Sequence, residues 1–183
     1  MRTLPCLIAP ALLALAWCAN AGAEEVVLDK LKSSTPADWK SAKPGNKFRV
    51  YQFTVPKAKG DEKDAEVAIF FFGAGSGGSA DDNISRWKKM FLPPEGKKID
   101  DVAKVSSFKA GALDYVYLDV HGTYVTKNPP FAPNAKEERY PDYRMLGVYF
   151  NCENGPYFIR LTGAAKTVEE SKKGFDEWLK NFK

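Results

Sequence analysis

Glu66-Val67-Ala68-Ile69-Phe70-Phe71-Phe72 is the stretch whose reading decides the fold. Val67, Ile69 and Phe71 point to one side of an extended chain and Ala68, Phe70 and Phe72 to the other, so both sides are apolar. A strand with one face in water alternates apolar with polar residues; this one has to be covered on both faces. Met145 to Phe150 has the same character. Two such strands require a sheet with further structure packed above and below it.

Two amphipathic segments supply that cover. Asp81-Asp82-Asn83 offers N-capping side chains and negative charge at a helix start, and Ile84, Trp87 and Phe91 recur at helical spacing before Pro93-Pro94-Glu95-Gly96 stops the run. At the far end, Thr167 and Glu170 match a capping box. Val168, Phe175, Trp178, Leu179 and Phe182 then share one side of the second helix. Gly174 inside it costs about 1 kcal/mol of helix propensity, which fits close packing on a sheet.

The remaining chain reads as strands and turns. Val26–Leu31 is a short strand or turn, Lys32–Lys47 is irregular, and Phe48–Val55 is a strand ended by Pro56. Lys57–Asp64 is a solvated loop. About Lys104–Val125 forms two strands joined near Ala110-Gly111. In the second, Val116, Leu118, Val120 and Tyr124 share a face opposite Tyr115, Tyr117, Asp119, His121 and Thr123. A long proline-rich excursion follows from Lys127 through Pro141, and Tyr157–Thr162 pairs back on Met145–Phe150 through the turn Glu153-Asn154-Gly155-Pro156. The order β-β-α-β-β-β-β-α with short connections predicts an α+β fold. It has a mainly antiparallel central sheet of about six strands and helices on both faces, an αβα sandwich. No internal repeat or second domain boundary is visible.

The N-terminus bears on location. Met1-Arg2 is a short positive start, Leu4–Trp17 is almost wholly apolar, and Ala21-Gly22-Ala23 precedes Glu24-Glu25 as a signal peptidase site. Residues 1–23 are therefore read as a signal peptide cut between Ala23 and Glu24, leaving 24–183 as one α+β domain. A membrane anchor needs about 20 apolar residues, and Pro5 and Pro10 interrupt a shorter run. Lipidation at Cys18 is the other alternative, opposed by Trp17 where processing prefers a small residue. The expected location is periplasmic or extracellular, with no transmembrane segment in the mature chain. Cys152 would be the one mature cysteine, which precludes an intramolecular disulfide. The whole chain carries 27 basic and 23 acidic residues for a net +4, and loss of Arg2 with the leader lowers this to +3. Because the two signs are interspersed, no stripe tracks a phosphate backbone, and nucleic acid is not an expected partner.

Tyr157-Phe158-Ile159-Arg160-Leu161-Thr162-Gly163, followed by the helix ending Phe175-Asp176-Glu177-Trp178-Leu179-Lys180-Asn181-Phe182, resembles the C-terminal strand and helix of PsbP-like and DcrB-like exported proteins. The earlier strand-helix-hairpin order is similar, extending the resemblance over about Ala37–Phe182. The chain also resembles small uncharacterised exported proteins through Phe72-Gly73, Asn83-Ile84-Ser85-Arg86-Trp87 and Tyr143-Arg144-Met145-Leu146-Gly147. What the resemblance implies is an αβα sandwich used for binding or assembly, without a shared catalytic apparatus. No metal or partner site is carried over with it.

Few residues suggest chemistry. Gly73-Ala74-Gly75-Ser76-Gly77-Gly78 matches Gly-x-Gly-x-x-Gly, but Asp81 and Asp82 stand where a phosphate would lie, and no parallel βαβ unit follows. It is read as a connector, and no cofactor is expected. Asp119 and His121 project from one face of a strand and are the candidate cation ligands, where zinc usually takes three or four protein ligands. No serine occupies a nucleophile elbow. Cys152 lies in an apolar alternation beside Glu153, the setting of a buried small hydrophobe. In the proline-rich excursion, Phe131, Arg139, Tyr140 and Tyr143 are residue types enriched at interface anchors; a connection tucked along the sheet is the competing reading. The sequence thus predicts an exported, non-catalytic binding or assembly module for an unidentified envelope protein or small ligand. The alternative is an envelope enzyme or metal-binding protein with its site around Asp119 and His121.

Overall fold

The computed structural model describes residues 22–128 and 134–183. The expected leader through residue 21, with Cys6 and Cys18, and the anchor candidate Phe131 lie outside the described residues. In chain order the elements are β1 (Glu25–Leu28), β2 (Leu31–Ser34), β3 (Lys40–Ser41), β4 (Arg49–Val55), β5 (Ala65–Phe71), α1 (Ala80–Lys88), β6 (Phe91–Leu92), β7 (Ala103–Ala110), β8 (Leu113–Asn128), β9 (Lys136–Cys152), β10 (Gly155–Ala164) and α2 (Ala165–Lys180), with a 3-10 turn at Ile99–Asp101. β1 and β2 form a separate hairpin. The main sheet runs β3-β4-β5-β10-β9-β8-β6, and β7 also pairs with β8. Each of these pairings is antiparallel.

The doubly apolar strands lie at the centre, as their composition demands. Val67, Ala68, Ile69 and Phe70 of β5 are all buried, and so are Met145, Leu146, Val148 and Phe150 of β9. Alternate residues enter different clusters. Val67 and Ile69 pack with Val168, Phe175 and Trp178 of α2. Ala68 and Phe70 pack with Ile84 and Trp87 of α1. Gly147 explains how closely α1 approaches: a Cβ there would lie 2.5 Å from Cε3 of Trp87, so the indole rests on bare backbone.

Several expectations need correction. The sheet has eight strands instead of about six, the added pair being the two-residue strands β3 and β6. Phe91 is not a helical residue; α1 ends at Lys88, and Phe91 belongs to β6, buried opposite Tyr124. Ser79 caps α1, reciprocally with Asp82, instead of the acidic triplet itself. Most of the supposed excursion Lys127–Pro141 is a β-ribbon in which Lys127 faces Glu137 and Thr126 faces Glu138. An opposite-charge cross-strand pair of this kind favours pairing. Pro141 is tolerated because it sits at a bulge: Gly122 pairs with Tyr143 and Tyr124 with Tyr140, leaving Pro141 and Asp142 against Thr123.

The start of α2 also differs from its sequence signature. The helix begins at Ala165, with no side-chain cap on Ala164. Thr167 lies within the first turn, where its hydroxyl donates to Asp61 Oδ2 at 2.5 Å and accepts from the Ala58 amide at 3.0 Å. A carboxylate 106 residues earlier thus takes the place of the expected local box. The consequence is that Lys57–Asp64 is fastened to α2 instead of simply solvated, a tie reinforced by Lys166 Nζ donating to the Lys59 carbonyl at 2.7 Å.

Candidate functional site

Asp119 and His121 do share a strand face, but the residue opposite decides what they can do. Arg144 of β9 pairs with His121 across the sheet, and its Nε and Nη2 donate to the two oxygens of Asp119, each at 2.7 Å. Its Nη1 also donates to Glu169 of α2. The forked bond to Asp119, stronger than the opposing burial, raises the Arg144 pKa above its ordinary value. Nearby, the Tyr117 hydroxyl donates to Asp176 of α2 at 2.8 Å. Burial and then the Asp176 carboxylate push that phenol upward.

These polar groups therefore fasten α2 to β8 and β9. A cavity of about 640 Å³ opens beside Asp119, His121 and Arg144, with Asp100 and Asp101 on its wall. Asp101 already accepts from the Lys98 amide at 2.7 Å, and Asp100 pairs with Lys88 at 2.8 Å. Among the described residues, no group of three or more His, Cys, Asp or Glu is placed to hold a metal ion. Asp119→Ala should destabilise by about 1–3 kcal/mol, between the values for exposed and buried pairs, because both side chains are about one-fifth exposed. Arg144→Met in the same background should cost less than the sum of the two single changes in urea unfolding.

Cys152 and the glycine-rich loop offer no reactive centre. The thiol is partly buried and packed on the core. Burial, with a smaller contribution from Asp29, pushes its pKa up to about 11, leaving little thiolate at neutral pH. At the end of the Gly73–Gly78 loop, the N-terminus of α1 is closed by the Ser79 hydroxyl and the Asp82 carboxylate, which bond each other's backbone amides at 3.1 Å. The positive end of the helix is thereby met by its own side chains.

Tyr140 and Tyr143 are brought together. In an unbroken strand, residues three apart face opposite sides; the bulge at Pro141-Asp142, with Asp142 at φ 52°, changes that phase. Tyr143 consequently lies 5.1 Å from Tyr140 and 6.1 Å from Tyr124, nearly parallel to the latter at 6°. The Lys63 ammonium lies 5.1 Å from the centre of the Tyr140 ring. Arg139 donates to Glu137 at 2.8 Å and also lines the cavity beside these rings. Between this tyrosine group, the fastened loop and the start of α2 is a cavity of about 660 Å³, with Asp61 and Glu62 on its wall. Burial first, then Asp61 and Glu62, raise the Tyr143 pKa, so its hydroxyl stays protonated. The fastened loop was not legible as part of this site, since Asp61 and Tyr143 meet only through the fold.

The architecture defines an α+β protein with a large antiparallel sheet and two helices, and its likeness to known structures is of the same class. The solution structure of cyanobacterial PsbP (CyanoP) from Synechocystis sp. PCC 6803 superposes with a TM-score of 0.52 at 13% identity, covering 94% of this chain and 98% of that one. A protein of unknown function from Pseudomonas aeruginosa, described as a putative regulator, gives a TM-score of 0.44 at 12% identity, covering 86% of this chain and 94% of its own. The chain thus has a PsbP-like fold. No protein-family model and no curated protein matches it. No helix among the described residues is long and apolar enough to cross a membrane.

Proposed function

We propose that the protein is an exported, non-catalytic binding module whose site is the cavity beside Tyr140 and Tyr143. The observation that carries this reading is that Tyr140 and Tyr143, packed on Tyr124 behind them, share a cavity wall with the Asp61 and Glu62 carboxylates. Aromatic faces and carboxylates together suit a positively charged group attached to an apolar body. Three cations share that wall: Lys166 donates to the Lys59 carbonyl, Arg139 pairs with Glu137, and Lys63 lies over Tyr140, so an entering cationic group has to displace Lys63 from that ring. Such a group belongs to a small ligand or to a segment of an envelope protein.

The rest of the reading follows from the same residues. α1 and α2 cover opposite faces of the sheet, a division supported by the alternation of β5 residues between the two core clusters. Export is supported by the leader pattern before Glu24.

One preparation tests the proposal. Protein recovered from the native envelope should begin within a residue or two of Glu24, without acyl mass. Its co-purifying partner or ligand should be lost in Tyr140→Ser/Tyr143→Ser while the variant keeps its fold by circular dichroism. Undiminished capture by the folded variant would refute the site. A mature chain retaining residues 1–23 would refute export.

A further inference from the structure

Ile159-Arg160-Leu161 sets a guanidinium inside an apolar strand, between residues that are fully buried. Arg160 stands opposite Ala68 of β5 and Gly147 of β9, neither of which carries a hydrogen-bonding side chain. Its guanidinium carbon lies 4.7 Å from the centre of the Phe70 ring, and that of Arg49 lies 5.3 Å from the same ring. Nη1 of Arg160 meets the thioether of Met90 at 3.5 Å, a weak acceptor. Among the described residues, no carboxylate lies within ion-pair distance of it.

The acid beside Arg49 is already engaged, and Asp82, one helical turn before Arg86, acts on Arg86. Glu66 Oε2 accepts from Arg49 Nη1 and from Gln52 Nε2, both at 2.8 Å. The third guanidinium, of Arg86, donates to Asn83 Oδ1 at 2.6 Å and to the carbonyl of Gly77 at 3.2 Å; Gly77 lies against the Phe72 ring, which stacks on Phe70 at 6.2 Å. Nε of Arg49 is buried with no partner. Burial lowers the Arg160 pKa, and Arg49 and Arg86 add to that effect, against the opposing influence of Tyr124 and Glu66. Water can satisfy the remaining N–H groups of a partly exposed arginine, but it leaves this excess of positive charge uncompensated.

We infer that Arg160, with Arg49 and Arg86, forms a binding site for a small oxyanion, a carboxylate or phosphate group. Two oxygens of such a group match the planar fork of a guanidinium, and that of Arg160 is backed by the Phe70 ring at 4.7 Å. None of the three arginines lines the tyrosine cavity, although Tyr124 adjoins both, and the anion titration tests this site by itself.

The test is titration of the protein, prepared in chloride buffer, with inorganic phosphate and separately with acetate. The readout is the Nε–H resonances of its arginines. A saturable shift of the Arg160 and Arg49 signals, not reproduced by chloride at equal ionic strength, is expected with at least one of the two anions; which one responds separates phosphate from carboxylate recognition. Arg160→Gln should weaken binding by about tenfold or more, the loss expected for one charge-assisted hydrogen bond. Should that variant not fold, Arg86→Gln on exposed helix surface should still weaken binding measurably. Shifts that are linear in both anions, or matched by chloride, would overturn the inference. So would undiminished affinity in folded Arg160→Gln or, where that variant does not fold, in Arg86→Gln.

Discussion

Trp178→Ala is expected to lower the thermal midpoint by about 6–20 °C, the shift that a loss of about 3–5 kcal/mol produces in a domain of this size. Trp178 is 2% exposed and lies 5.3 Å from Trp39 and 5.2 Å from Phe182, both at steep interplanar angles. The indole therefore joins α2 to the segment before β4 and to the chain end, so its removal opens a cavity that three separate pieces of chain border. One feature moderates the cost: its Nε1 is buried without a partner, so the native residue already carries a polar penalty. Trp178→Phe should accordingly cost much less than the alanine change, because it keeps an aromatic ring and removes the orphan donor. Lys173→Ala, whose side chain is 89% exposed, should leave the midpoint unchanged. Calorimetry on the three variants checks the ordering. A midpoint for Trp178→Ala within 2 °C of the parent would mean that α2 is not part of the cooperative core.

The packed face of α2 was legible because five apolar residues recur with one helical period; four are buried within the helix, and Phe182 is buried just beyond its end. Its start was not legible, since Thr167 and Glu170 satisfy a local pattern while the hydroxyl is claimed by Asp61 from a distant loop. β5 and β9 were readable for a related reason: when both faces of a strand are buried, composition alone marks it. The two-residue strands β3 and β6 carry no period at all, and only their partners define them. The same holds for sites. That Asp119 and His121 share a face follows from counting along a strand, whereas the Arg144 fork that occupies Asp119 depends on register between strands. Prolines around Lys127–Pro141 suggested a loop, because a bulge that shelters a proline is a property of two strands together. Arg160 did leave a signal, a charge between Ile159 and Leu161 in an otherwise apolar strand. Its neighbours Arg49 and Arg86 come from β4 and α1 and are assembled only by folding.

Gly122→Ala should destabilise by about 2–5 kcal/mol, adding the cost of an alanine in a backbone conformation suited to glycine to that of a forced close contact. Gly122 has φ 150°, and a Cβ built on it would lie 2.4 Å from the carbonyl oxygen of Leu92 and 3.4 Å from its carbonyl carbon. Those atoms are backbone of β6, so no side-chain rotation relieves the clash; β6 has to separate from β8. Phe91 would then leave its buried position, and with it the 5.3 Å contact to Tyr124. Because Tyr124 stacks on Tyr143, the disturbance should reach the proposed binding cavity as well as the global stability. Gly96→Ala isolates the first contribution, since Gly96 has φ 76° with nothing within 4 Å of the added methyl. It should cost about 1–2 kcal/mol, the penalty for a left-handed L-residue alone. Urea unfolding of both variants, with hydrogen exchange at the Val125 amide that donates to the Met90 carbonyl at 2.8 Å, separates the two effects. Gly122→Ala should raise exchange there sharply, while Gly96→Ala should not. Equal stability of the two variants would show that β6 yields without cost, and that the close crossing over Gly122 does not hold this corner of the sheet together.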